Sequence, residues 1–235
     1  MSVQENLMTA HENLKKAREE GLFIDYAIVC NGTRIRAHKL VLYAQSPVFK
    51  AALTSDFTKF DSEYTIDDFP EWVVEEMVQF MYGNHHIVTV ATEESLIFFE
   101  ELFVLGNEYQ VKGLEGHARE QYERLLEYCV GTDELLSSLG RIYTANDEER
   151  SCLYGILNDT IWLRIRCMLN ETSAQDMEYL LQCPDFSRDY ATSVFKHGPL
   201  VGRCSCSQSL IGLSVFNGGL RCTVCENKGF EIAEP

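Results

Sequence analysis

Four cysteines near the end of the 235-residue chain carry its clearest chemistry: Cys204-Ser-Cys206 and Cys222-Thr-Val-Cys225, with fifteen residues between the pairs. A four-thiolate zinc site needs two ligand pairs, each on a tight turn and brought together by a hairpin. The intervening stretch supplies the hairpin, because Leu210-Ile-Gly-Leu-Ser-Val-Phe216 and Gly219-Leu-Arg-Cys222 flank Asn217-Gly218, the dipeptide best suited to a two-residue turn. The spacing points to structural zinc held by Cys204, Cys206, Cys222 and Cys225 in a small ribbon. The first pair is one residue shorter than the usual Cys-x2-Cys, which leaves open an arrangement in which one of its thiols yields to His197. Residues 196–235 are poor in large apolar side chains, so metal or docking must supply their stability. Two other readings of the thiols compete: free thiols docked on the preceding part, and a redox dithiol of Cys222 and Cys225. A redox pair belongs at a helix start after a strand, whereas Cys225 runs into Glu-Asn-Lys-Gly.

Elsewhere no constellation suits catalysis. There is no Gly-rich phosphate loop and no His-Glu-x-x-His, and Gly212-Leu-Ser214-Val-Phe lacks the closing Gly of a nucleophile elbow. His38 follows a strand and opens a helix with no Ser, Cys or carboxylate at a telling spacing, so it reads as a buried hydrogen-bonding group. His85-His86 reads as a solvated loop pair. Cys30, Cys129, Cys152, Cys167 and Cys183 lie in apolar surroundings and read as core residues. The chain is therefore expected to be non-catalytic.

Charge excludes two classes of partner. With 36 acidic against 20 basic side chains and a net charge of -16, the surface repels phosphate backbones and anionic lipid, so neither nucleic acid nor membrane is expected. No apolar run is long enough to span a bilayer. The start of the chain lacks a basic segment leading into an apolar one, which predicts a cytoplasmic or nuclear protein whose thiols stay reduced. Residues 1–195 hold 16 basic and 33 acidic side chains, so all of the acidity lies there.

The elements that must position these residues follow from periodicity. Val3, Leu7, Ala10, Leu14 and Ala17 form one apolar stripe on a helix that Gly21 stops. Phe23 to Cys30 and Thr33 to Ala37 flank Asn31-Gly32 as a hairpin. A helix pair breaks at Ser46-Pro47. A short strand over Glu63 to Asp67 precedes a helix over Glu71 to Tyr82, and two amphipathic helices run over Glu93 to Tyr109 and Leu114 to Tyr128. Residues 133–195 read as three further helices with breaks near Asn146-Asp147 and Asn170-Glu171.

Several of these segments resemble the BTB/POZ family. Asp25-Tyr-Ala-Ile-Val, Ile35-Arg-Ala-His38-Lys39-Leu-Val-Leu42 and Ser46-Pro-Val-Phe49 match its strand-opening Asp, its His-Lys helix start and its Ser-x-x-Phe. Tyr64-Thr-Ile-Asp-Asp68, Val78-Gln-Phe-Met-Tyr82-Gly and Leu102-Phe-Val-Leu-Gly-Asn-Glu-Tyr109 with Val111-Lys-Gly-Leu114 continue the likeness over residues 5–128. The particular flavour is similar to BTB proteins common in filamentous fungi.

The resemblance implies an α+β BTB/POZ fold, a short β-sheet capped by helical hairpins, extended by an all-α segment and the zinc-ribbon-like appendage. The divisions read as an N-terminal helix over 1–22, the BTB/POZ domain over 23–130, a helical extension over 131–195 and the cysteine-rich tail over 196–235. It also implies protein–protein interaction. In family members that form homodimers the leading helix packs across the partner, which makes Leu7 and Leu14 candidate contacts, and Asp25 and Lys39 match the charged pair of the dimer groove. Many BTB proteins are substrate adaptors of a cullin-3 ubiquitin ligase through an apolar-x-Glu motif. The matching loop, Asp56-Phe57-Thr-Lys-Phe60-Asp-Ser-Glu63, places its apolar residue three positions before Glu63 and departs from that motif.

Overall fold

The computed structural model describes residues 3–55, 61–84, 93–128, 131–144, 148–169, 177–197, 201–204, 210–216, 219–222 and 230–232. The chain divides into two compact units, one made of residues 1–87 and 98–118 and the other of 88–97 and 119–235.

The first unit begins with α1 (Val3–Glu19), followed by the hairpin β1 (Tyr26–Cys30) and β2 (Thr33–Ala37). Asn31 and Gly32 both take positive φ, 48° and 84°, as a two-residue turn matched to strand twist requires. Next come α2 (Lys39–Gln45), α3 (Pro47–Thr54), β3 (Glu63–Thr65) and α4 (Glu71–Met81). The sheet order is β2-β1-β3: β2 is antiparallel to β1 with Ile28 opposite Ile35, and β3 is parallel to β1 with Ile28 opposite Tyr64. The α2–α3 pair is the crossover that a parallel return demands. The first strand is shorter than the apolar run predicts, because Phe23 adopts a left-handed φ of 58° and breaks the extension. Ile28, Leu42, Phe49, Val74, Met77 and Leu105 are fully buried at the centre.

One serine sets the corner between α2 and α3. Ser46 terminates α2 by donating its backbone N–H to the Leu42 carbonyl, and it caps α3 by accepting the Phe49 N–H at 3.1 Å, with Pro47 at the first helical position. Its hydroxyl proton goes to the buried Tyr109 carbonyl. Phe49 then stacks on Tyr109 with centroids 5.3 Å apart and meets Tyr64 edge-on at 5.4 Å. Burial raises the Tyr109 hydroxyl far above the ordinary phenol range, with the neighbouring Tyr64 adding to it.

α5 (Glu93–Glu108) and α6 (Leu114–Tyr128) run through the division between the units. The second unit adds α7 (Thr132–Thr144), a 3-10 helix (Glu148–Ile156), α8 (Asp159–Leu169), the single turn α9 (Glu178–Leu181) and α10 (Pro184–His197). The 3-10 segment and α9 are additions to the three helices that periodicity predicts; neither holds an apolar stripe long enough to show as one. Tyr143, Tyr154, Trp162 and Phe186 form an edge-packed aromatic cluster, and the Tyr143 hydroxyl donates to Asp189 at 3.0 Å. In α6 and α7 the fully buried Tyr122 and Ser138 share a 2.6 Å hydrogen bond.

Four strands close the second unit: β4 (Val201–Cys204), β5 (Leu210–Phe216), β6 (Gly219–Cys222) and β7 (Phe230–Ile232). They form an antiparallel sheet of order β6-β5-β4-β7. The β5–β6 hairpin follows the predicted pairing about Asn217-Gly218; β4 and β7 carry no strand pattern in the sequence and are recruited by it.

Replacing Ser46 with Ala removes a cap and leaves the buried Tyr109 carbonyl without its donor. Chemical denaturation should show a loss of about 2–3 kcal/mol with an unchanged slope; a change below about 0.5 kcal/mol would contradict this role for Ser46.

Candidate functional site

Asp25, His38 and Lys39 come together in the first unit where α1 gives way to β1, and Leu14 lies in the last turns of α1. The helix ends in a Schellman motif: Gly21 at φ 72° donates to the Arg18 carbonyl and Leu22 to that of Ala17. The Leu22 carbonyl then accepts the His38 Nε2–H at 2.8 Å. Because a carbonyl can only accept, Nε2 carries the proton and Nδ1 is the acceptor. The Tyr82 hydroxyl, at the end of α4, donates to Nδ1 at 2.7 Å and accepts the His38 backbone N–H at 2.9 Å. Burial raises the Tyr82 phenol above its usual value. His38 is thus a buried structural hydrogen-bonding group, as the sequence predicts, and every polar atom of its ring is engaged.

Arg18 completes this junction. Its Nε–H donates to the Arg36 carbonyl at 2.7 Å, an Nη2 group reaches both oxygens of Glu75 at 2.8 and 3.0 Å, and the guanidinium carbon lies 5.4 Å from the centre of the Tyr82 ring. Only 10% of its side chain is exposed, so these bonds are made in a partly dry setting where a guanidinium needs them. One turn earlier Lys15 donates to the Asn84 side chain at 3.3 Å. The His11 ring lies 3.4 Å from where a β-carbon on Gly83 would stand. His11, Lys15 and Arg18 follow the helical period, so the last turns of α1 are anchored to the domain along this line of side chains.

Of the predicted apolar stripe, Ala17 is half-buried and Leu14 is exposed, as are Leu22, Phe23, Leu40 and Tyr43, with Phe23 at 87% and Leu40 at 73%. Leu40 and Tyr43 stand three residues apart on one face of α2. The His38–Leu22 bond holds the start of that helix against the Leu22-Phe23 turn. Leu7, the other predicted contact of the stripe, has a side chain outside the described residues. The sequence reading missed Leu22, Phe23, Leu40 and Tyr43; an apolar pair directly after a helix-stopping Gly is the signal that could have found two of them.

Asp25 and Lys39 do meet, through a backbone group. Asp25 Oδ1 accepts the Lys39 N–H at 2.8 Å and so caps α2, whose N-cap residue His38 makes no side-chain cap bond. The Lys39 ammonium sits 5.2 Å from the centre of the Tyr26 ring. Both charges therefore stand at the start of α2, beside the exposed Leu40. In the predicted cullin-contact loop, Glu63 is ion-paired with Arg34, while Phe57 and Phe60 lie outside the described residues.

The predicted metal ligands are divided. Cys204 ends β4 and Cys222 ends β6, and Cys206 and Cys225 lie outside the described residues. Among the described residues no three His, Cys, Asp or Glu side chains converge on a metal-sized point. Of the five cysteines expected in cores, Cys30 is buried, donates to the Phe69 carbonyl at 3.3 Å and has a thiol pushed up by burial. Cys152 and Cys183 are half-buried, and the Cys183 thiol donates to the Tyr143 carbonyl at 3.6 Å. The side chains of Cys129 and Cys167 lie outside the described residues. No described helix is long and apolar enough to cross a membrane.

Changing Tyr82 to Phe deprives His38 of a donor and an acceptor in a buried site. The expected loss is about 2–4 kcal/mol in denaturation, with faster proteolysis at the Leu22-Phe23 turn; equal cleavage rates in both proteins would contradict the proposed junction. Asp25→Ala should lose about 1 kcal/mol by uncapping α2, and Asp25→Asn much less.

The BTB/POZ domain model matches residues 14–125, the span that carries this junction. Over 142 residues the chain is 35% identical to Protein maternal effect lethal 26 of Caenorhabditis elegans, which covers 57% of this chain and 33% of that protein. Over 111 residues it is 32% identical to Longitudinals lacking protein-like of Drosophila melanogaster, covering 47% of this chain and 80% of that protein. The chain spans a third or less of the length of the first curated relatives it matches. Among solved structures, the BTB domain of zebrafish PATZ1 superimposes with a TM-score of 0.43 at 21% identity, covering 53% of this chain and 97% of that one. With the domain match over residues 14–125 and 32% identity spread across four fifths of the Drosophila relative, the chain belongs to the BTB/POZ domain family.

Proposed function

We propose that this chain is a non-catalytic protein-interaction module that pairs with a second copy of itself through the face of Leu14, Leu22, Phe23, Leu40 and Tyr43. The cysteine-rich tail is, in the same reading, a zinc-stabilised appendage. Membership of a family of interaction modules supports the general function; one observation carries the specific partner. The last turns of α1 are held on their own domain by Lys15 and Arg18, while Leu14 stays exposed, as do Leu22, Phe23, Leu40 and Tyr43. Each large apolar side chain left exposed forgoes about 1.5–3 kcal/mol of burial, and Phe23 also sits in a left-handed backbone region at φ 58°, which costs an L-residue about 1–2 kcal/mol. An isologous interface must present complementary charges to itself. Asp25 and Lys39 beside Leu40 meet that condition, and a second copy offers the same apolar face in return.

The adaptor reading is the alternative within the class. Against it stand the three-residue spacing before Glu63 and the engagement of that carboxylate by Arg34. Light scattering at tens of micromolar should give twice the chain mass, and Phe23→Glu with Leu40→Glu should return it to one, with an unchanged far-ultraviolet spectrum. A monomeric wild-type chain would overturn self-pairing, and co-elution with the N-terminal region of cullin-3 would revive the adaptor reading. Phe23→Gly separates the two roles of that residue: it relieves about 1 kcal/mol of backbone strain and should weaken pairing while leaving the unfolding midpoint of the dilute chain unchanged or higher.

A further inference from the structure

The sheet order β2-β1-β3 makes β2 an edge strand, with no strand beside it on one side. Which backbone groups face that side follows from the register. Cys30 and Thr33 close the two-residue turn as a hydrogen-bonded pair, and the pairs along the ladder then alternate. Ile28 with Ile35 and Tyr26 with Ala37 are bonded to each other. Arg34, opposite Val29, and Arg36, opposite Ala27, therefore turn their N–H and C=O groups outward. The Arg36 carbonyl is taken by the Arg18 Nε–H at 2.7 Å. Among the described residues no hydrogen bond is made to the Arg34 N–H, the Arg34 carbonyl or the Arg36 N–H.

The same two residues carry the charge of this edge. Arg34 is drawn back across the sheet to Glu63 of β3. Arg36 makes no ion pair among the described residues. Its guanidinium lies against Gly21, with Nη1 3.0 Å from where a β-carbon on that glycine would stand. A cavity of about 270 Å³ opens between the last turn of α1, β2 and α4, lined by Arg18, Arg36, Glu75 and Gln79 among others. Arg18 and Glu75 satisfy one another there, so Arg36 supplies a positive charge not matched by a carboxylate. On a chain of net charge -16, this is a local field of the opposite sign, and it favours an anion.

We propose that β2 accepts an extended acidic segment of a partner protein as a further strand, antiparallel to β2, with a carboxylate beside Arg36. Such a strand exchanges two bonds with Arg34 and takes a third from the Arg36 N–H. The residue that it sets opposite Arg36 has its side chain on the face of the sheet that bears the guanidinium. A Glu or Asp at that position completes a charge-assisted pair. A small free anion would meet the guanidinium and leave three outward backbone groups unused, whereas a strand satisfies both. Charged side chains commonly guard a sheet edge against pairing. Here the guard has one sign, so it repels basic segments and admits acidic ones. The residues involved are separate from the self-pairing face of Leu14, Leu22, Phe23, Leu40 and Tyr43, and the partner is a different one.

Titration of the full chain against a fluorescein-labelled peptide of alternating valine and glutamate, followed by anisotropy, tests this assignment. Binding should saturate, and amide hydrogen exchange at Arg34 and Arg36 should slow in the presence of the peptide. Arg36→Gln, or the same peptide with glutamine in place of glutamate, should weaken binding by about tenfold. Arg34→Pro removes an outward N–H and spares the ladder to β1, so it should weaken binding to a similar extent with an unchanged far-ultraviolet spectrum. A peptide N-methylated at its glutamates should fail in the same way against the unaltered chain. An absence of binding, or binding indifferent to the charge changes or to N-methylation, would overturn the proposal. Displacement of the peptide by inorganic phosphate without any slowing of exchange would give the cavity to a small anion instead. A change in chain mass by light scattering on Arg36→Gln would give the edge to a second copy.

Discussion

The Tyr82 hydroxyl joins three segments that are distant in sequence. It accepts the backbone N–H of His38 and donates to Nδ1 of the same residue, which leaves Nε2–H for the Leu22 carbonyl. The two bonds between Tyr82 and His38 are buried, so an unmade one would leave a desolvated donor or acceptor, and the bond to Leu22 is partly buried. That requirement fixes the direction in which the chain leaves α1, the start of α2 and the end of α4 together. Arg18, lying over the Tyr82 ring and bonded to Glu75 and the Arg36 carbonyl, locks the last turns of α1 to the same point.

A consequence for exposure accompanies that lock. Burial is non-directional and rewards any apolar neighbour, whereas the bonds from Lys15 and Arg18 that hold the last turns of α1 are directional. Leu14 and the Leu22-Phe23 turn stay exposed, as do Leu40 and Tyr43. The proposed pairing supplies those side chains with a second apolar surface. Asp25 has a separate duty, since it caps α2 and keeps Leu40 in place, so its match to the family's groove residue and its local structural role coincide in one carboxylate.

Charge is unevenly shared between the functional regions. The excess of acid belongs to residues 1–195, where carboxylates such as Glu75 and Glu63 are paired with arginines and the net charge stays negative. The tail is close to neutral, and a site of four thiolates would be its main charge. The aromatic cluster of Tyr143, Tyr154, Trp162 and Phe186 gives the second unit a core independent of that site.

Local pattern made much of this legible. The Asn31-Gly32 hairpin, the break at Ser46-Pro47, the α4 stripe and the family likeness through His38-Lys39 and Tyr82-Gly83 are short-range patterns that show in the sequence, although the bonds that His38 and Ser46 make to Tyr82 and Tyr109 are long-range. The 3-10 segment, α9, β4 and β7 were not legible, because their conformations depend on partners far along the chain. The sequence by itself determined the BTB/POZ domain, the sites of its turns, the placement of its acidity and the cysteine pairs. Only the tertiary structure decided that Lys15 and Arg18 anchor the last turns of α1, that Asp25 works through a backbone N–H, and that β4 and β7 join the β5–β6 hairpin in one sheet. Periodicity reports which residues share a face, but which face is bound depends on directional bonds whose partners are brought near only by the fold.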